Sequence, residues 1–184
     1  MQQPQIGESI VGAYLRIIEE CQFVTYNRRN PSMNQSDTDV VALKSDNGHQ
    51  TIYGCEIVTH LDGPNYNTNK DTSDWADFNS YAETLTVLEG KFETTYTLVS
   101  DLWPDADTIK LQFWSPVVPG NLRPSGLEEL KRRFEAEHGV TISMIYNETY
   151  SERLEELQSK AREETSSHDE PAFRFLQLLE HTRN

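Results

Sequence analysis

The hydrophobic positions of the chain switch repeatedly between helical and strand spacing. Apolar residues recur every three or four positions over 7–21, 75–103, 126–138, 148–164 and 172–183, which predicts helices there, with Ser125 capping the third. Short apolar runs predict strands at 23–27, 38–44, 50–59, 108–117 and 139–147. Strands mixed with helices around one core indicate an α/β fold with a mixed sheet, in the order α-β-β-β-α-β-α-β-α-α.

Two of the predicted strands flank the tripeptide DNG and have the pattern of a hairpin. An Asn-Gly pair favours a type I′ turn, because both central residues of that turn need a positive φ. With Asn47 and Gly48 in the turn, Asp39 lies opposite Glu56. Directly opposed residues share a sheet face with Cβ atoms about 4.5–5.5 Å apart. The simplest register therefore places these two carboxylates side by side.

Two adjacent carboxylates repel each other, so we expect either a positive charge between them or a raised pKa for one of them. Mg²⁺ takes hard oxygen ligands, typically one or two carboxylates together with water and substrate phosphate. Asp39 and Glu56 are therefore candidate ligands of Mg²⁺ or Mn²⁺. In the alternative interpretation the two acids cap strand ends, or a bulge shifts the register and they face apart.

Length, charge and cysteine usage narrow the class of protein. The 184 residues fit one domain, 1–184. No apolar run is long enough for a transmembrane helix, and the N-terminal residues do not have the pattern of a secretory signal. Cys21 and Cys55 lie in apolar patterns without metal-ligand spacing, which favours buried thiols in a reducing, cytoplasmic compartment. A net charge of −14 opposes nonspecific binding to nucleic acid, although a local basic face is compatible with it.

The acids follow an order along the predicted elements. Glu8 lies in the first helix, Asp39 begins the second strand, and Glu56 lies in the sequence CEIVTH on the third strand. This arrangement resembles the PD-(D/E)XK, or restriction-endonuclease-like, nuclease family, whose αβββαβ core carries an acid, an Asp and a Glu-x-Lys motif in these places. The resemblance covers about 7–118 and leaves a C-terminal strand and helices, about 119–184, as an extension. It implies that Asp39 and Glu56 bind the metal and that Glu8 assists them.

The chain departs from the family pattern at the lysine of the motif, where it has Val58. A lysine from a neighbouring element is expected to replace it. Lys91 is preferred, because the helix after the third strand packs over the sheet, while Lys70 and Lys44 are alternatives and Lys44 has the wrong strand parity. His60 shares the parity of Glu56 and ranks below Lys91.

Arg28 and Arg29 precede a loop on the site side of the resembled fold and are candidates for contacts with a phosphate backbone. The KRR sequence at 131–133 is interpreted as a solvated part of a helix in preference to a patch that contacts phosphate. The apolar stripe of the last helix is too broad for an isolated exposed helix. That helix packs either on the domain or on a partner, such as a second copy of the chain.

Three hypotheses for the function follow. The first is a metal-dependent nuclease that hydrolyses DNA or RNA, in restriction, repair or defence, with Glu8, Asp39, Glu56 and Lys91 as its catalytic residues. The second is a nuclease fold that has lost catalysis and serves as a binding or scaffolding module. The third is an unrelated α/β domain with an incidental acid pair. The first two require Glu8, Asp39 and Glu56 to converge within reach of one metal ion.

Overall fold

The computed structural model describes residues 3–29, 37–120 and 122–182. Five strands and five α-helices follow one another: α1 Ile6–Ile17, β1 Phe23–Arg29, β2 Asp37–Asp46, β3 His49–Ile57, α2 Ala82–Leu102, β4 Thr108–Ser115, α3 Glu128–His138, β5 Ile142–Tyr146, α4 Glu148–Glu163 and α5 Pro171–Thr182. A 3₁₀-helix, Ser73–Tyr81, precedes α2, and a π-helical turn, Arg123–Leu127, precedes α3. The predicted order of elements is confirmed.

The described strands form one mixed sheet in the order β1-β2-β3-β4-β5. The pairs β1–β2 and β2–β3 are antiparallel, and the pairs β3–β4 and β4–β5 are parallel. Parallel neighbours need a crossover connection, and α2 and α3 lie in the two crossovers. The fold is therefore α/β with a mixed sheet, as the sequence predicts.

The hairpin of β2 and β3 has the predicted turn and register. Asn47 and Gly48 have φ values of 51° and 83°, which fits a type I′ turn. The ladder runs from Asp46 opposite His49 to Val40 opposite Cys55. Beyond that pair, the Asp39 side chain accepts a hydrogen bond from the backbone N–H of Ile57.

Each face of the sheet carries its own hydrophobic core, because strand residues alternate between the faces. One core packs α2 and α3 against the sheet and includes Leu88, Phe92, Phe113 and Phe134. The other packs α1, α4 and α5 on the opposite face and includes Tyr14, Leu15, Trp114, Leu157 and Phe173. The last helix thus packs on the domain itself, while its Phe175 and Leu178 are 58% and 52% exposed.

Several predicted boundaries are wrong. Helix α1 ends at Ile17 rather than at 21, because the chain turns with Glu20 at a φ of 61°. Ser125 does not cap α3; it lies in the π-helical turn, and the N-cap is Leu127. Strand β1 extends two residues beyond its predicted end at 27 and includes Arg28 and Arg29, while positions 30–36 of the following loop lie outside the described residues.

Cys21 and Cys55 are buried free thiols, as predicted. Within the described ranges, no helix combines the length and the apolar character needed to cross a membrane.

Candidate functional site

The two acids of the hairpin lie at one end of the sheet and belong to the face that α2 covers. Glu56 is close to the C-terminal end of β3, and its side chain is completely buried. Asp39 is close to the start of β2, and its side chain is 15% exposed. Residues an even number of positions apart on a strand point to the same face of the sheet. Glu56 therefore lies on the same face as Ile52, and Asp39 on the same face as Val41. Ile52 and Val41 both belong to the core under α2.

Helix α2 supplies the cation between them. The Lys91 Nζ atom lies 2.6 Å from Glu56 Oε2 and 3.6 Å from Asp39 Oδ2. Asp39 Oδ2 also accepts the hydrogen bond from the Ile57 N–H at 2.7 Å, which holds that carboxylate at the open end of the hairpin. We call Asp39, Glu56 and Lys91 the acid–lysine cluster.

One turn further along α2, Thr95 fixes the other oxygen of Glu56. The Thr95 hydroxyl donates to Glu56 Oε1 at 2.5 Å. Because that bond uses the only hydroxyl proton of Thr95, the 2.9 Å contact between Thr38 Oγ1 and Thr95 Oγ1 requires Thr38 to be the donor. Both oxygens of Glu56 are therefore hydrogen-bonded, as a buried carboxylate requires.

Each ionisable group of the acid–lysine cluster changes the pKa of the other two. Burial raises the pKa of Glu56 to about 7, although Lys91 opposes this rise and Asp39 adds to it. Burial also raises the pKa of Asp39 above its ordinary value, against the opposing effect of Lys91. For Lys91, burial alone would lower the pKa, but the nearby Glu56 and Asp39 carboxylates outweigh it and raise the pKa. Lys91 therefore stays protonated at neutral pH, and the carboxylates lack sufficient compensating charge.

Glu8 has a different environment from the other two acids. It lies in the first turn of α1, and its Oε2 atom accepts hydrogen bonds from the Gln5 N–H and from Asn27 Nδ2, both at 2.9 Å. The bond to Gln5 caps the helix, and the bond to Asn27 joins α1 to β1. The carboxylate of Glu8 thus has a structural use that the sequence pattern does not reveal.

The expected convergence of three acids is not observed. In the described part of the chain, the group of three potential ligands with atoms within 4.8 Å of one another is Glu93, Glu137 and His138. Glu8, Asp39 and Glu56 do not come this close together. Both nuclease-fold hypotheses therefore fail in the form that requires three converging acids. The structure instead brings Asp39 and Glu56 together with Lys91, so a metal site here would have two carboxylate ligands.

The other candidate lysines and His60 occupy other places. Lys44 lies near the opposite end of β2 from Asp39. The Lys70 Nζ atom lies beside Gly90 on α2, and His60 is exposed in the turn after β3. Among the described side chains, Lys91 alone forms ion pairs with Asp39 and Glu56.

Arg28 and Arg29 lie at the end of the edge strand β1, next to the start of β2. Arg28 pairs in the ladder with Thr38, which directly precedes Asp39. Arg29 is bound to Asp37, with Nε 2.9 Å from Oδ1. Both arginines are exposed, so the edge nearest to Asp39 carries positive charge.

Sequence reasoning missed Thr95, Thr38 and Tyr66. Thr95 follows Lys91 by four residues, and this helical spacing is the signal that could have placed both on one face of α2. Thr38 precedes Asp39 directly. Tyr66 lies in the long connection between β3 and α2, and no local pattern places it beside the acids.

The donor chemistry of the acid–lysine cluster fits a hard divalent cation. Two carboxylates are the ligands that Mg²⁺ commonly takes from a protein, and burial leaves those of Asp39 and Glu56 in need of positive charge. Comparison of the sequence with protein-family models and with curated proteins gave no match. The functional argument therefore depends on the geometry of this cluster.

Proposed function

We propose that the protein is a metal-dependent hydrolase of phosphodiester bonds in nucleic acid, with DNA as the first substrate to test and RNA as the second. The observation that carries this proposal is the meeting of Asp39, Glu56 and Lys91, from β2, β3 and α2, at one end of the sheet. These residues supply the Asp, Glu and Lys of the PD-(D/E)XK pattern that the sequence resembles, with Lys91 in place of the lysine missing at Val58. A role in restriction, repair or defence would follow from this activity.

Asp39 and Glu56 would hold Mg²⁺ or Mn²⁺. When bound, such an ion activates water and neutralises the charge that develops on the phosphate. The Thr95 hydroxyl and the Ile57 N–H fix the two carboxylates in place before substrate arrives. This preorganisation reduces the reorganisation that the reaction itself would need.

Lys91 acts in this proposal as a donor of hydrogen bonds and of positive charge. Because Glu56 and Asp39 raise its pKa, the ammonium group is protonated at neutral pH and cannot serve as a base. It would orient the attacking water or contact a phosphate oxygen, where the charge of the transition state is greatest. Glu8 would support the site from a distance, through Asn27 and β1.

Cleavage assays test the proposal directly. Plasmid, linear duplex and single-stranded DNA, together with RNA, are incubated with the protein in Mg²⁺, in Mn²⁺ and in a chelator. We expect metal-dependent cleavage that falls at least about 100-fold in Lys91→Met and in Asp39→Asn, as when a transition-state donor is removed. Lys44→Met is the matched control, because Lys44 lies away from the acids and its loss removes the same charge. Absence of cleavage in every substrate and metal would contradict the proposal.

A second candidate is a nuclease-fold module that binds without catalysis. The 2.6 Å ion pair between Lys91 and Glu56 favours it, because the lysine already occupies the position of a cation, and so does the separation of Glu8 from the other acids. Titration calorimetry with Mg²⁺ and Mn²⁺ distinguishes the two candidates. Wild type that binds nucleic acid but neither binds a metal ion nor cleaves any substrate would favour the module.

A further inference from the structure

The connection between β3 and α2 crosses the helix that carries Lys91. The Tyr66 N–H donates to Thr84 Oγ1 at 3.2 Å, and the Thr68 N–H donates to Glu83 Oε2 at 2.9 Å. Both acceptors lie in the first turn of α2. We call residues 66–70 the crossing segment. Two hydrogen bonds to one rigid helix give this segment a defined place.

The crossing segment lies next to the acid–lysine cluster. The Tyr66 side chain is partly buried and packs against the core beneath α2. Burial raises the pKa of Tyr66; Lys91 opposes this rise, and Glu56 and Asp39 add to it. Tyr66, at the start of the segment, therefore lies close to the acid–lysine cluster.

At the end of the crossing segment, Lys70 reaches α2 one residue before Lys91. Its Nζ atom lies 3.7 Å from the position that a Cβ atom on Gly90 would take, and apart from the chain neighbours and the backbone of α2 no other described atom comes within 4 Å of that position. Glycine is unfavourable in the middle of a helix. Here it leaves an open notch beside the ammonium group of Lys70.

The charge of Lys70 is not compensated by the protein. In the parts of the chain that the structure describes, no carboxylate lies within ion-pair distance of the Lys70 Nζ atom, whereas the neighbouring Lys91 is bound to Glu56 and Asp39. The residue is exposed. In a chain with 30 acidic and 16 basic residues, an unpaired cation beside a candidate site is available to an anionic ligand.

Without a bound metal ion, the acid–lysine cluster does not attract a polyanion. When fully ionised it combines two carboxylates with one ammonium group, so its net charge is negative. A cation that lies outside the cluster would therefore help to draw in substrate phosphate before a metal ion is bound. Lys70 is such a cation on the side of α2.

We propose that Lys70, held over Gly90 by the crossing segment, binds a backbone phosphate of the nucleic acid next to the acid–lysine cluster. This inference rests on the proposed function, since it names a substrate contact of the same site. Tyr66 positions the segment through its packing beneath α2. The contact is to the phosphate backbone and therefore carries no sequence preference.

The test is the salt dependence of binding, which counts phosphate contacts. Fluorescently labelled duplex and single-stranded DNA are titrated with wild type, Lys70→Gln and Lys44→Gln in chelator, where cleavage does not interfere, and anisotropy is followed at several salt concentrations. The slope of log K against log salt is negative. Losing one phosphate contact makes it less negative by about 0.9 for a duplex and about 0.7 for a single strand. We expect this reduction, with weaker binding, in Lys70→Gln, a wild-type slope in Lys44→Gln, and recovery in Lys70→Arg.

The outcomes separate this inference from the proposed function. A wild-type slope and affinity in Lys70→Gln would overturn the inference, and so would an equal loss in Lys44→Gln, which would indicate only a change in net charge. Either result leaves the nuclease proposal standing if wild type cleaves DNA. A selective loss in Lys70→Gln, without cleavage by wild type, would support the phosphate contact and remove the nuclease. Failure of wild type to bind any nucleic acid in chelator would overturn the inference, and additional failure to cleave with Mg²⁺ or Mn²⁺ would overturn both.

Discussion

Glu56 shows how one side chain connects burial with ionisation. Its carboxylate is fully buried and bonded to Lys91 and Thr95, and its pKa is raised to about 7 by burial. The buried acid therefore holds its proton to a higher pH than an ordinary glutamate does. A bound cation would favour the ionised form, because an opposite charge stabilises it.

The stability of the protein should depend on pH through Glu56. Its pKa rises from an ordinary value of 4.5 to about 7, so the folded protein binds this proton more tightly than the unfolded chain does. The resulting stabilisation is complete below about pH 4.5 and is lost as the pH rises through 7, with an upper limit of roughly 3 kcal/mol. We expect Glu56→Gln to remove this loss, so that urea unfolding gives a flatter profile between pH 4.5 and 7.5 than wild type.

The control for this prediction is Glu135→Gln, which removes an exposed carboxylate from α3. Its pH profile should parallel that of wild type. If the profiles of Glu56→Gln and wild type were parallel over this range, Glu56 would not bind its proton differently in the folded and unfolded states.

Part of the candidate site could be predicted from the residues. The Asn-Gly turn fixes the hairpin register, and this register brings Asp39 to the same end of the sheet as Glu56. The contact of Lys91 with both acids depends on how α2 packs over the sheet. The local sequence indicates only which side of α2 faces the sheet. The role of Glu8 could not be separated from a catalytic one, because an acid at this position of a helix also serves as a cap.

At the scale of elements, the distance between α2 and the sheet depends on Gly54 of β3. A Cβ atom at this position would lie 2.5 Å from Thr95 Cγ2, 3.1 Å from Leu111 Cδ2 and 3.3 Å from Val99 Cγ1. Thr95 is the residue that bonds Glu56. The missing side chain of Gly54 thus allows the helix to bring Lys91 and Thr95 close to the acids.

Gly54→Ala should therefore disturb both packing and the site. Overpacking of a tight core costs about 1–3 kcal/mol, and we expect a loss of this size in urea unfolding together with weaker binding of Mn²⁺ by calorimetry. Gly120→Ala is the matched control, because apart from its chain neighbours no described atom lies within 4 Å of the added Cβ atom. Equal stability and Mn²⁺ affinity in the two variants would mean that α2 does not depend on close approach at Gly54.

The pattern of apolar residues predicts elements well where only one periodicity fits. It fails at 73–81, which forms a 3₁₀-helix instead of the first turns of α2. Trp75, Phe78 and Tyr81 are spaced by three residues, and this spacing fits a 3₁₀-helix as well as an α-helix. The end of α1 was also missed, because Glu20 adopts a left-handed conformation that its residue type does not signal.

At the scale of the whole molecule, α5 completes the core on the face opposite to α2. Glu170, just before α5, accepts hydrogen bonds from Tyr26 of β1 at 2.8 Å and from Arg16 of α1 at 3.3 Å. At the other end, Glu180 is 2.8 Å from Arg162 of α4. These bonds join the last helix to β1, α1 and α4, so we expect the C-terminal extension to unfold together with the rest of the chain.

Substitution of two phenylalanines on α5 tests whether the C-terminal extension unfolds together with the rest of the chain. Phe173 is completely buried, whereas Phe175, on the same helix, is 58% exposed. Removing a buried aromatic side chain costs about 3–5 kcal/mol, while a surface substitution stays within about 0.5 kcal/mol. We therefore expect Phe173→Ala to lower the stability of the whole protein in one cooperative unfolding transition. We expect Phe175→Ala to leave the stability unchanged. Both variants are followed by tryptophan fluorescence and by circular dichroism.

A separate early transition in Phe173→Ala, with the rest of the chain unfolding as in wild type, would mean that α4 and α5 unfold independently of the sheet. A marked effect of Phe175→Ala that depends on protein concentration would instead place the exposed face of α5 in an interface between copies.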